Sequence, residues 1–264
     1  MTVLAPDALL GKVVLVSGGT QGLGAAVART AARCGADAVV VTGRNPDKAA
    51  GLLEELDALG AESMAVRADV GQVPDALNSV AATVEAFGRV DCVVNAAAVT
   101  TRGTLVDTSP ALFDEHMATN ARGPFFIMQA AVKDMLSRGA PGSIVNIISI
   151  SSHGGQPFIA AYVTAKAGLA ALTKNAAHAH RSDRIRINGL NIGWTATPGE
   201  DAIQRTFHGA GDDWLAHAGE SQPFGRLGDP DEIADMVVFL LSDGSGIATG
   251  SVIDWDQIVM GGFD

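Results

Sequence analysis

Short runs of consecutive apolar, mostly β-branched residues recur along the chain, separated by longer stretches rich in Ala, Leu and Glu. The runs cover residues 12–17, 38–42, 63–67, 91–95 and 143–148. They are apolar throughout rather than alternating, which predicts strands buried on both faces, as in a parallel sheet. The stretches between them, residues 22–34, 46–59, 73–87 and 109–138, have the length and composition of crossover helices. A helix over about 161–179, a strand over 184–191, a helix after Pro230 and a last strand near 252–254 continue the alternation. The pattern predicts an α/β fold, a doubly wound parallel sheet of about seven strands flanked by helices. A chain of 264 residues is expected to close one domain over 1–264. Residues 195–222, rich in Gly, Asp and His around Phe207, Trp214 and His217, break the alternation. They are expected to form an irregular lid or substrate loop.

Directly after the first run comes Ser17-Gly18-Gly19-Thr20-Gln21-Gly22-Leu23-Gly24. Glycines between a strand and a helix let backbone N–H groups approach a pyrophosphate, which the helix dipole then favours. Gly18, Thr20, Gln21, Gly22, Leu23 and Gly24 are therefore expected to hold a dinucleotide, although the spacing is GxxxGxG. The second strand ends Thr42-Gly43-Arg44-Asn45, where such folds usually present an acid to the adenosine ribose. Arg44 suits a 2′-phosphate instead, through the planar fork of its guanidinium. NADP(H) is the expected cofactor and NAD(H) the alternative; Gln21, standing beside Gly22 where a second basic residue would help, counts against NADP(H). Asp69, followed by Val70, is placed to accept from an adenine amino group or to cap a helix. Asn95-Ala96-Ala97-Ala98 ends the fourth strand with small residues against which a flat ring can lie.

Tyr162, the only tyrosine, and Lys166 stand four apart in a helical stretch and so share a face. Hydride transfer at a carbinol carbon needs a proton moved at the oxygen. A phenol of ordinary pKa, about 10, does this poorly near neutrality, and a neighbouring ammonium is expected to help. Ser149, after the fifth strand, is placed to hold the substrate oxygen at the phenol.

In these residues and their spacing the chain resembles the short-chain dehydrogenase/reductase family from about Gly11 to Gly262. The resemblance implies a Rossmann-like fold and an oxidoreductase moving a hydride between a nicotinamide cofactor and a carbonyl or secondary alcohol. It implies that Gly18, Gly22 and Gly24 form the nucleotide turn, that Asp69 meets the adenine, and that Asn120, Ser149, Tyr162 and Lys166 are catalytic. It adds Asn95 at a strand end and Thr197 as a carboxamide contact, and a homotetramer as the assembly. The chain departs from the family at Asn95-Ala96-Ala97-Ala98, at Ile192-Gly193 and at Asp254-Trp255-Asp256-Gln257.

Composition narrows the alternatives. Eighteen basic against 29 acidic residues give a net charge of −11, which argues against nucleic acid as a partner. Two cysteines, Cys34 and Cys92, offer neither a disulfide framework nor a metal cluster. His153 and His217 lack a third ligand spaced to join them, so no metal is expected. His178 and His180 suit a helix C-terminus. Ser151, His153, Phe158, Trp194 and Trp214 are expected to wall a mostly apolar site for a small alcohol or carbonyl. Residues 1–10 lack an export pattern and no apolar run approaches about 18 residues, so a cytoplasmic protein off the membrane is expected. Two rival functions stand beside the main one. A 3-oxoacyl thioester reductase would need a basic mouth for an acidic carrier, with Arg102, Arg122 and Lys133 as candidates; a nucleotide-binding redox sensor would not need the proton relay.

Overall fold

The computed structural model describes residues 4–261; residues 1–3, and Gly262 at the far end of the family resemblance, lie outside them. The strands are β1 (Val13–Ser17), β2 (Ala38–Gly43), β3 (Glu62–Arg67), β4 (Cys92–Asn95), β5 (Gly142–Ile147), β6 (Ile185–Ile192) and β7 (Val252–Trp255). They form one parallel seven-stranded sheet in the order β3-β2-β1-β4-β5-β6-β7. The helices are α1 (Gly22–Arg33), α2 (Ala50–Ala58), α3 (Val73–Phe87), α4 (Pro110–Met117), α5 (Gly123–Arg138), α6 (Ala160–His180), α7 (Pro198–His208), α8 (Trp214–Glu220) and α9 (Pro230–Leu241).

The period of two along each strand divides the core. Val14, Val16, Val39, Val41, Cys92 and Val94 pack with α1 and α9, whereas Leu15, Val40, Val93 and Ile144 pack with α3 and α5. Both faces are covered, which explains why the strands carry no polar alternation. Ala25, Ala28, Ala31 and Ala32 are buried on α1, and their small side chains suit its close packing with α9. The strand order reverses between β1 and β4, so the carboxyl ends of these two strands open a crevice where ligands bind in such sheets.

Three elements differ from the sequence expectation. Residues 46–59 divide into a 3-10 turn, Pro46–Ala49, and α2, because Asn45 Oδ1 accepts from Asp47 N at 3.1 Å and tightens the start. Residues 109–138 are interrupted by a π turn, Ala118–Arg122. Pro124 has no N–H to donate to the Asn120 carbonyl four residues back, so the regular ladder cannot run through this point. The expected irregular insert holds two helices. α7 carries a full set of helix signals: Thr197 Oγ1 accepts from Glu200 N, Pro198 follows, acids fill the first turn, and Arg205 and His208 lie in the last. Among the described residues no helix is long and apolar enough to cross a membrane.

Candidate active site

The turn after β1 is shaped by what its glycines exclude. A Cβ on Gly18 would lie 2.5 Å from Ala97 N, and one on Gly24 would lie 2.2 Å from the Gly18 carbonyl oxygen. Gly22, at φ +55°, is less crowded: a Cβ there would only touch the Thr197 side chain, at 3.6 Å. The turn is thus packed tightly at Gly18 and Gly24 and loosely at Gly22. An open cleft of about 1230 Å³ runs from it along the sheet edge, lined by Gly18, Thr20, Gln21, Arg44, Lys48, Asp69, Val70 and Ala97. Thr42 Oγ1, on the same cleft, is buried without a hydrogen-bond partner among the described residues. These features fit an extended dinucleotide with its pyrophosphate at α1.

Arg44 is exposed on this cleft, and Lys48, from the 3-10 turn, reaches back to Gln21 Oε1 at 3.4 Å. The sequence reading missed Lys48, which stands 27 residues from Gln21 in the chain and supplies the second basic group near the turn. Asp69 Oδ1 accepts from Gly71 N at 3.0 Å, and its own N–H donates to Asp75 Oδ2 at 2.8 Å, so Asp69 holds the loop after β3 as well as lining the cleft. Arg122, from the π turn, donates to the Gly71 carbonyl at 2.6 Å and braces the same loop. Leu23 is buried beneath the turn at the start of α1, and Asn95 is buried between strands, donating to Asn146 Oδ1 at 2.8 Å.

The structure brings Ser149, Tyr162 and Lys166 together beyond the carboxyl end of β5. Ser149 caps a 3-10 turn, Ile150–His153, and its Oγ accepts from the Ser151 hydroxyl at 2.8 Å. Ser149 stands near enough to the Tyr162 hydroxyl to draw its pKa down, yet burial outweighs it and pushes the phenol up to about 12. Lys166 is buried, donates from Nζ to the Ile147 carbonyl at 2.7 Å, and is pushed down to about 8 by the same desolvation. Its Nζ lies 5.6 Å from the Tyr162 ring centroid. Burial is thus the main influence on both groups, raising the phenol and lowering the ammonium.

Asn120 is fully buried in the π turn, its Oδ1 accepting from Val99 N at 3.0 Å and its Nδ2 donating to the Val99 carbonyl at 2.9 Å. Its second amide hydrogen points to His116 Nδ1 at 3.2 Å, and the His116 ring meets the Tyr162 ring edge-on at 6.2 Å. His116 was not among the sequence candidates. Its one legible signal is the i, i+4 spacing from Asn120, which shares a helix face.

The expected pocket residues divide into separate groups. Ser151 is buried and spends its hydroxyl on Ser149, while His153 turns towards β7, its Nε2 2.8 Å from Asp254 Oδ1. Trp194 donates to Glu200 Oε1 at 2.8 Å and Trp214 to Asp201 Oδ1 at 2.7 Å, the two indoles stacking obliquely at 6.3 Å. They pin α7 and α8 together. Phe158 lies under Arg102 and edge-on to His208, joining the loop before α6 to the end of α7. His217 pairs with Asp213 on the exposed side of α8, and His180 with Asp183 below α6. The unusual C-terminal residues are explained locally. A Cβ on Gly193 would lie 1.9 Å from Asp256 Oδ1, and Gln257 accepts from Phe224 N at 2.8 Å and donates to the Arg226 carbonyl at 2.7 Å.

Comparison with known proteins agrees with this geometry. The model of a family described as enoyl-(acyl carrier protein) reductase, within the short-chain dehydrogenases/reductases, matches residues 18–257. The chain belongs to the short-chain dehydrogenase/reductase family. A relative in this family, the A-factor type gamma-butyrolactone 1′-reductase (1S-forming) of Streptomyces virginiae, is 37% identical over 97% of this chain and 96% of its own. The L-rhamnose 1-dehydrogenase (NAD(P)(+)) of Azotobacter vinelandii is 35% identical over 92% of this chain and 94% of its own. The crystal structure of a short-chain type dehydrogenase/reductase from Mycobacterium marinum superposes with a TM-score of 0.86, at 28% identity over 94% of this chain and 95% of that one. This short-chain dehydrogenase/reductase is accordingly a nicotinamide-dependent oxidoreductase of carbonyl and alcohol groups.

Proposed function

We propose that the enzyme works chiefly as an NADPH-dependent reductase, turning the carbonyl of a small molecule into a secondary alcohol. The observation that carries this reading is the gathering of Ser149, Tyr162 and Lys166 beyond the carboxyl end of β5. Burial shifts the Tyr162 phenol towards its protonated form, which suits a group that gives a proton. An alkoxide forming at the substrate oxygen is much more basic than a phenolate, so transfer from Tyr162 Oη runs downhill. Ser149 Oγ, close to that hydroxyl, would hold the same oxygen in place, and the Ser151 hydroxyl, donating to Ser149 Oγ, fixes its rotamer. The nicotinamide, when bound, supplies the hydride to the carbonyl carbon. Asn120 keeps the π turn closed on Val99 beneath the site.

Arg44 and Lys48 support NADP(H) over NAD(H), because two cations stand at the end of β2 with a 2′-phosphate within their reach. Gly18, Thr20, Gln21, Gly22, Leu23, Gly24, Asp69, Val70, Asn95, Ala97 and Thr197 would shape or support the remainder of the nucleotide site. What favours a small substrate over an acyl-carrier thioester is the scatter of Arg102, Arg122 and Lys133. Arg122 is spent on the Gly71 carbonyl, and Lys133 lies 11 residues further along the helix, about 16 Å at the α-helical rise. Phe113, Phe125 and Leu136, exposed on α4 and α5, support assembly into an oligomer, with a tetramer the expected form. A cytoplasmic location goes with the use of NADPH.

The test is nicotinamide fluorescence titration with NADPH and NADH, then NADPH oxidation over a panel of ketones and aldehydes. Tighter binding of NADPH and turnover that Tyr162→Phe abolishes are expected. Preference for NADH would overturn the cofactor assignment, and turnover intact in Tyr162→Phe would overturn the proton donor.

A further inference from the structure

We infer that Arg102 selects carbonyl substrates that also carry a carboxylate; this rests on the reductase reading above. Arg102 leaves the loop after β4 and crosses the Phe158 ring, its Cζ 5.3 Å from the ring centroid. Its Nε donates to His208 Nε2 on α7 at 3.1 Å and its Nη1 to the Thr100 carbonyl at 3.0 Å. A guanidinium has five N–H donors, so three remain without an acceptor among the described residues. No carboxylate among those residues lies within ion-pair distance of it. Glu200 acts on it only from further away, its Oε1 drawn off by the Trp194 indole and the Gln204 amide.

An arginine in this half-buried position is normally paired. Here the partner on the lid is an uncharged imidazole nitrogen, which fixes the guanidinium without neutralising it. Burial depresses the Arg102 pKa, and the adjoining Thr101 carbonyl meets His116, whose ring lies edge-on to Tyr162, so the cation stands on the loop that lines the tyrosine. A planar fork with free donors, fixed by a ring below and a lid helix beside it, matches a carboxylate in shape and charge. The same contacts tie anion binding to the position of α7, since Arg102 bridges the β4 loop and His208.

The test uses the enzyme with NADPH and four oxo acids, 2-oxobutanoate, 3-oxobutanoate, 4-oxopentanoate and 5-oxohexanoate, beside their methyl esters. Turnover is followed by NADPH oxidation and binding by thermal shift. At one chain length the acid should exceed its ester in kcat/KM by roughly 10- to 100-fold, the usual worth of a hydrogen-bonded charge. Arg102→Gln should remove that preference while leaving the ester within about twofold, and Arg102→Lys should keep part of it. No acid preference at any length, including a series in which nothing binds, would overturn the proposal. So would equal losses on acids and esters in Arg102→Gln, which would make the residue a lid strut. Ester turnover that depends on Tyr162 but ignores charge would leave the reductase reading standing and remove only the carboxylate; the absence of any carbonyl-dependent NADPH oxidation would remove both.

Discussion

The His116 imidazole faces the Asn120 amide with Nδ1, 3.2 Å from Nδ2, while its Nε2 lies 3.0 Å from the Thr101 carbonyl. A carbonyl can only accept, so Nε2 carries the proton and Nδ1 accepts from Asn120. The ring is thereby fixed as one neutral tautomer, and burial lowers its pKa in keeping with that state. One turn of helix and the π turn after it are joined through this pair, directly behind the Tyr162 ring.

His116→Leu should fill most of the same volume while leaving one Asn120 N–H unpaired in the core. A loss of roughly 1–3 kcal/mol in urea unfolding is expected, with kcat reduced more than NADPH affinity. The folded pKa lies below the ordinary 6.5, so the unfolded chain binds the extra proton first as pH falls below 6.5. Wild-type stability should therefore decline through that window as pH falls, and the His116→Leu enzyme should lose this part of the slope.

Tyr162→Phe removes the proton donor and keeps the ring against His116. Carbonyl reduction should fall by roughly 100- to 10,000-fold, the range for a lost general acid, while NADPH fluorescence enhancement persists. Equal loss of binding and turnover would place Tyr162 in cofactor binding alone.

Arg44→Ala and Lys48→Ala should each lower the NADPH-to-NADH affinity ratio. The double variant should lose most of the ratio and most of its dependence on salt between 0.05 and 0.5 M, because exposed charges are screened over this range. Titrations at several ionic strengths read this directly. An unchanged ratio in the double variant would remove the 2′-phosphate assignment.

Two glycines of the turn should fail differently when changed to alanine. Gly24→Ala places a Cβ 2.2 Å from the Gly18 carbonyl oxygen, so the turn must open and the protein should lose stability even without nucleotide. Gly22→Ala meets no protein atom closer than 3.6 Å, and its φ of +55° costs about 1 kcal/mol. Its main effect should be weaker NADPH binding, seen as a smaller thermal shift on adding the nucleotide.

Lys166 carries a pKa depressed from 10.5 to about 8, so the folded state binds fewer protons than the unfolded state between those values. Stability of the wild type relative to Lys166→Met should therefore rise as pH is raised from 8 to 10.5. Denaturant unfolding of both proteins across that range checks the sign. A difference that stays flat would mean that Lys166 is solvated.

Much of this arrangement is local in origin and so was legible in the chain. The strands follow from apolar runs buried on both faces, and the glycine turn follows from where Gly18, Gly22 and Gly24 fall between β1 and α1. Tyr162 and Lys166 share a face because 3.6 residues make a helical turn. Even α7, expected as irregular chain, was announced by Thr197, Pro198 and the charges of its two ends; composition rich in Gly and Asp obscured those signals. Tertiary structure alone decided which distant side chains meet. It carried Lys48 to Gln21, set His208 against Arg102 across 106 positions of sequence, and turned His153 to Asp254. It also set the surroundings of Tyr162 and Lys166, and with them the solvation each loses. Burial, and not sequence spacing, sets the solvation that each group loses, and here it raises the phenol and lowers the ammonium.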